Sequence, residues 1–353
     1  MAPLSATYSI LDDALERLAD AGPELENGNS NHAPMAIEAL CTLGRSEAVL
    51  PWLEGYRAGL MPRPPRVQRI DRENWAVALG QPRRVGDWFE LFRDQLSDQP
   101  WRAVLERWVE RLAPGIVAAA LHGVIRTGHA VRAIALEDTP ARRRELADGL
   151  AYWAAEYQAL PSRVRAAEPT LPSRAIARVP MIPPEQRGSF ASLSAALGQL
   201  DAFEPFRDTL TAVDPQRDPT AFLGDLTTTF ARVYLGNARD FLTTIAFIHT
   251  VTGPAALRPM LPHLSAPTAH AALAYVWQAA AALYAIFGSQ TQLPGGGDTL
   301  AEADDLIERA IACGDEHAIK FTAACLAEHA LNPVPAFLAA ADHAIGVLGS
   351  PAL

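Results

Sequence analysis

Apolar residues recur along this chain at helical spacing almost from end to end, and proline and glycine fall mostly between the periodic stretches. Alanine and leucine fill most of the apolar positions, and the β-branched alternation of half-buried strands is scarce. The pattern predicts helices over about 8–20, 32–43, 46–60, 85–97, 100–112, 115–137, 140–158, 189–213, 219–236, 239–251, 254–263, 267–287, 299–313, 315–330 and 334–347. No pair of strands joined by a tight turn stands out. The expected class is therefore all-α, with about 14–16 helices.

The least helical stretch is about 160–188, which carries Pro161, Pro169, Pro172, Pro180, Pro183 and Pro184. It reads as a linker between two helical halves of one domain spanning 1–353, or as a long loop over a pocket. Gly295, Gly296 and Gly297 form a second break. No strand precedes them and no Lys-Ser/Thr follows, so they read as a flexible turn rather than a phosphate cradle. No short repeat period marks a solenoid.

Composition narrows the partners. The net charge of −10 leaves no basic stripe to neutralise phosphates, which argues against nucleic acid. The cluster Arg142, Arg143, Arg144 reads as a solvated helix face. Cys41, Cys313 and Cys325 are odd in number and lack CxxC spacing, so a reducing, cytoplasmic setting is expected. The first residues show no basic, apolar signal pattern. The alanine-rich stretch 269–287, interrupted by His270, Trp277, Gln278 and Tyr284, reads as a buried core helix and not a membrane span.

Candidate chemistry begins with Lys320, the only lysine beside 29 arginines. A lysine amine can lose its proton and become nucleophilic or modified; a guanidinium essentially never does. Lys320 lies one turn after His317 in an apolar helical run. His122 and His129 are seven residues apart, so a helix places them on one face about 10 Å apart along its axis, with Arg126 between. One metal is reached by both only if it sits between them or if Gly123 and Gly128 let the helix bend. His249 closes the run Phe247-Ile248-His249-Thr250-Val251-Thr252, which Gly253-Pro254 is expected to end. A helix dipole or a ligand role explains it equally. His32 follows Asn31, an expected N-cap, with Pro34 in the first turn. His263, His270, His329 and His343 read as structural or surface groups. Trp277, Tyr284 and Tyr234 read as core residues, with stacking on a planar substrate as the second reading. The chain has no HExxH, ExxH, GxSxG or strand-borne GxGxxG, so zincins, ferritin-like di-iron proteins, α/β-hydrolases and dinucleotide folds are unsupported.

Four segments in order resemble the questin oxidase-like family: Asn31-His32-Ala33-Pro34-Met35; Pro114-Gly115 leading to His122-Gly123, Ile125-Arg126 and His129-Ala130 with Arg132-Ala133; Phe247-Ile248-His249 with Val251-Thr252-Gly253-Pro254-Ala255-Ala256-Leu257-Arg258; and Asp315-Glu316-His317 with Ile319-Lys320. The resemblance covers residues 31–320. It implies an oxygenase of polycyclic aromatic polyketides, built around a central metal and substrate pocket. Fungal relatives open an anthraquinone ring in a Baeyer–Villiger-type oxidation with NADPH. The flavin motif that this label suggests is missing, which favours non-haem Fe(II) and O2. The metal ligands so implied are His32, His122, His129, His249 and a carboxylated Lys320. His317 serves as an alternative ligand or a supporting group, and Arg126 and Thr252 as supporting catalytic groups. Imidazoles with one anionic oxygen suit Fe(II) if positions stay open for dioxygen. Two other readings stand: a metal-free enzyme in which Lys320 forms a Schiff base for a lyase or decarboxylase step, and a helical ligand-binding protein without catalysis. Oligomeric state is left open.

Overall fold

The helical spacing of the sequence becomes fifteen α-helices in a computed structural model, which describes residue 8 and residues 10–71, 73–163, 168–216, 218–291, 293–294 and 301–350. The class is all-α. Two compact units divide the chain: residues 1–158 with 259–265, and residues 159–258 with 266–353.

The first unit contains α1 (Leu11–Arg17), α2 (Ala33–Thr42), α3 (Val49–Tyr56), α4 (Val85–Asp98), α5 (Trp101–Leu112), α6 (His122–Leu136) and α7 (Pro140–Ala155). Helix α5 buries Trp101, Val104, Leu105, Trp108, Val109 and Leu112, the single stripe that a 3.6-residue period gives. Trp108 meets Trp88 and Phe92 edge-on in this core. Helix α7 is buried along its C-terminal half and packs on both α4 and α6. The approach of α6 to α7 needs glycine at two points. A Cβ on Gly123 would lie 2.6 Å from the Trp153 Cα, and one on Gly149 would lie 3.0 Å from the Thr127 nitrogen.

One element beyond those predicted is present in this unit, and one expectation is corrected. A short antiparallel pair exists, β1 (Ala21–Leu25) with β2 (Leu60–Pro62), in the register Ala21↔Pro62 and Leu25↔Leu60. Its strands are separated by α2 and α3, so no local turn announces it. The helix expected from 115 starts only at His122. Ala119, Ala120 and Leu121 before it take φ of 47°, 53° and 76°. Such left-handed residues cost roughly 1–2 kcal/mol each without glycine, and nothing in an Ala-Ala-Leu sequence signals them.

The second unit contains α8 (Pro172–Ala175), α9 (Leu193–Leu197), α10 (Pro219–Asn237), α11 (Phe241–Ala255), α12 (Ala266–Phe287), α13 (Ala303–Cys313), α14 (Glu316–Leu331) and α15 (Pro335–Leu348). Helix α11 packs against α10, α12 and α14, and α14 against α15. Side chains start these helices: Asp218 accepts from the Thr220 and Ala221 N–H groups, Asp240 forms a capping box with Thr243, and Asp315 accepts from His317 and Ala318. By length and composition α12 is apolar enough to cross a membrane, yet it is mostly buried and serves as a core helix.

The helix expected over 189–213 is broken into α9 and the 3-10 turns Gly198–Ala202, Glu204–Asp208 and Leu210–Ala212. Gly198 and Pro205 lie at these breaks and weaken α-helical pairing. The expected helix over 254–263 shrinks to the 3-10 turn Leu261–His263. Helix α11 instead runs through Gly253 and Pro254 to Ala255. Proline near a helix end forfeits one hydrogen bond without kinking a following turn. The proline-rich stretch holds α8 and two 3-10 turns, Ile176–Arg178 and Pro184–Gln186. The glycine run 295–297 lies outside the described residues.

Candidate metal centre

In the first unit the polar segment before α2 is pinned from several sides. The Asn31 amide donates to the Gly22 carbonyl at 2.9 Å, and its oxygen accepts from the Ala33 N–H at 3.0 Å. His32, not Asn31, occupies the N-cap position, and its N–H donates to the Tyr56 hydroxyl at 3.0 Å. Ser30 pairs with the Tyr152 hydroxyl of α7 at 2.8 Å. The His32 side chain, buried by this scaffold, stacks on His122 with ring centroids 4.7 Å apart.

The nitrogen positions carry the chemistry. His122 Nδ1 lies 2.5 Å from the Ala119 carbonyl, the group that the left-handed turn presents. A carbonyl only accepts, so Nδ1 bears the proton and Nε2 keeps its lone pair in the neutral ring. That Nε2 faces His32 Nε2 at 2.6 Å. Two imidazole nitrogens converging in a buried place share a proton or a cation. This donor set fits a metal that accepts imidazole.

His129 and Arg126 have other partners. His129 Nδ1 meets Glu38 Oε2 at 2.5 Å, and Arg132 donates to the same oxygen at 2.9 Å. Tyr8 and Thr42 donate to the other oxygen, Oε1, at 2.5 and 3.1 Å. Burial by itself raises the Glu38 carboxyl, but Arg132 and His129 outweigh it and hold the group down to about 2. The structure therefore joins His32 to His122 and sets His129 against Glu38, two turns further along α6. Arg126 is buried and donates from Nε and Nη2 to Glu145 at 2.6 and 2.8 Å, with Asp148 at 3.5 Å. Arg63 in turn grips Asp148. The Arg126 guanidinium thus fastens α6 to α7.

In the second unit His249 sits in the middle of α11, so a helix-end dipole does not explain it. Its Nδ1 lies 2.7 Å from the Ile245 carbonyl, which again leaves Nε2 with the lone pair. Burial, with the positive charges of His317 and Lys320, pushes its pKa well below the ordinary imidazole value and keeps the ring neutral. His317 opens α14 with its ring centroid 5.6 Å from that of His249, and its Nδ1 lies 3.5 Å from Asp315. Lys320 is 3% exposed one turn on. Burial lowers its amine to about 8 against the opposing pull of Glu316 and Asp315. Thr252, one turn after His249, donates to the Ile248 carbonyl at 3.0 Å. The second unit thus brings His249, His317 and Lys320 together, with Asp315 as both helix cap and carboxylate neighbour.

Other candidates fall into place as structure. Trp277 donates to the Thr209 carbonyl, Tyr284 to the Gln290 carbonyl, and Tyr234 pairs with His343; all three rings are buried. His263 stands edge-on to Trp101, and His329 meets the Val334 carbonyl. Sequence reasoning missed Glu38 and Glu328. Each is a buried carboxylate on a largely apolar stretch of helix, and that isolation was the available signal. Glu328 takes both donors of Arg258 at 2.6 Å and the Thr227 hydroxyl at 2.7 Å.

Comparison with known proteins gives one family: a family model described as Questin oxidase-like matches residues 29–325. No curated protein matches the chain. The family description carries an oxidoreductase, oxygenase-type role.

Proposed function

Because the chain belongs to the questin oxidase-like family, we propose that it is a non-haem iron-dependent oxygenase. Its substrate is a polycyclic, anthraquinone-like aromatic polyketide, one ring of which it cleaves or oxidises. The observation that carries this reading is the convergence of His32 Nε2 and His122 Nε2 at 2.6 Å, with His122 fixed through Nδ1 on a backbone carbonyl. His249 is prepared in the same way by Ile245. Such pinning fixes the tautomer and orientation of a metal-binding imidazole.

In the first unit the proposed ligands are His32 and His122; in the second, the proposed donors are His249 and Lys320 in carboxylated form. His129, the fifth ligand that the resemblance implies, stands against Glu38. Iron bound to this set supplies the activation of dioxygen, and NADPH is the candidate reductant. The protein's own contribution is steric and protonic. Burial excludes water from Lys320 and keeps a fraction of its amine neutral near pH 7. The neutral amine adds carbon dioxide at Nζ and releases one proton, which yields the anionic oxygen donor that the imidazoles lack. His317 steadies or replaces a ligand on the His249 side. Arg126 keeps α6 on α7, and Thr252 stays bonded within α11 beside His249.

The test is metal analysis and oxygen uptake. Protein produced with added iron is expected to retain it in stoichiometric amount and to consume dioxygen in the presence of an anthraquinone. Lys320→Arg and His32→Ala are expected to lose most of the iron. Purified protein with no affinity for iron would sink the reading. The depressed Lys320 amine also suits a Schiff base, so borohydride with a carbonyl substrate separates the two chemistries. Covalent labelling of Lys320 favours the lyase, whereas a carbamate is not trapped. A Lys320→Arg protein equal to wild type in every assay favours a binding protein without catalysis.

A further inference from the structure

Helices α2 and α6 face each other as a ladder with matched spacing. His32 at the start of α2 meets His122 at the start of α6. Six residues along α2 and seven along α6, Glu38 meets His129. Ten residues along each, Thr42 meets Arg132 at 3.4 Å, and Arg132 also reaches back to Glu38. The two helices therefore run parallel, with an imidazole pair at one rung and a second set of rungs around the buried Glu38 about two turns away.

We propose that Glu38 and His129 are positioning residues that form a register clamp. They lock the axial setting of α2 against α6 and so hold His32 Nε2 within reach of His122 Nε2. The inference rests on the metal reading for its functional meaning. Glu38 is the only acidic residue in α2 and is 2% exposed, so its charge is expensive unless every partner stays in place. Four side chains from α2, α6 and the Tyr8 segment converge on its two oxygens. Apolar neighbours along α2 tolerate a slip of α2 along α6; a buried, directional ion pair does not. Fixing register is the best-attested use of such buried polar groups. A slip of one residue moves a helix by about 1.5 Å, enough to break the approach of the two imidazoles.

The test uses the full chain and Co(II) as the probe, with its visible absorption as readout. Glu38→Gln and His129→Asn are each expected to weaken Co(II) binding 10–100-fold, the usual effect of removing a group that orients ligands. The double variant restores a neutral Gln–Asn hydrogen bond and is expected to return affinity to within about threefold of wild type. Additive losses, or full binding in the single variants, would overturn the clamp. Loss in His129→Asn and the double variant, with Glu38→Gln unaffected, would make His129 a ligand and overturn the clamp as well.

A second readout needs no metal. A proton held between His32 Nε2 and His122 Nε2, 2.6 Å apart, is expected to give a far-downfield NMR signal in metal-free protein. It is expected to vanish in both single variants and to return in the double variant. If wild type binds no Co(II) but this signal follows the expected order, the metal reading fails and the clamp stands. If the signal persists in the single variants, the clamp fails. Should Glu38→Gln not fold, Glu38→Asp keeps the buried charge while shortening its reach to His129, and is expected to lose the same signal.

Discussion

Single residues here act through what burial does to their charge. Glu156 at the end of α7 shows this away from the histidines. Burial, helped by the nearby Glu24, pushes its carboxyl up to about 7 from an ordinary value of 4.5. A carboxyl whose folded value is raised favours the folded state when protonated. That contribution is complete below about 4.5 and is lost as pH rises through about 7. Glu156→Gln is therefore expected to be more stable than wild type at pH 8, by roughly 1–3 kcal/mol once partial exposure is discounted. The gain should shrink to nothing near pH 4, which urea denaturation at several pH values reads directly. A gain independent of pH would show that charge is not its cause. Lys320 was legible as a candidate because it is the only lysine. The sequence did not reveal how far burial depresses its amine, since that depends on which helices cover it.

At the scale of elements, α6 shows both what periodicity reveals and what it hides. Its helical pattern and its two histidines are plain in the sequence; its starting point is not. The left-handed turn over Ala119–Leu121 aims a carbonyl at His122 and costs strain for doing so. Ala120→Gly relieves that strain but adds unfolded-state freedom. The net expectation is a gain of about 0.5–1 kcal/mol in thermal or urea stability, with the turn retained. Destabilisation would mean the Ala120 methyl packs better than its φ suggests. Gly123→Ala goes the other way. The added Cβ meets the Trp153 backbone at 2.6 Å, so α6 must shift on α7. A loss of about 1–3 kcal/mol is expected, visible as a lower urea midpoint. The expected 189–213 helix failed because hydrophobic spacing alone does not weigh Gly198 and Pro205 against a run of 3-10 turns.

For the whole molecule, the proposed iron site predicts a linkage between metal and stability. Iron at a hundredfold excess over its Kd should stabilise the folded chain by ~2.7 kcal/mol, read as a rise in melting temperature. His32→Ala and Lys320→Arg should each abolish the rise, whereas His343→Ala, whose ring pairs with Tyr234, should retain it. A rise that survives in Lys320→Arg would remove lysine from the ligand set. By itself the sequence determined the all-α class, most helix positions and the family. Helical periodicity and side-chain chemistry are local properties, written within one or two turns. Only the tertiary structure decided that His32 pairs with His122 while His129 is set against Glu38, that Arg126 is spent on Glu145, and that two short strands meet across α2 and α3. Those outcomes depend on contacts between residues about 20 to 90 positions apart, fixed by burial and helix register, which no local pattern encodes.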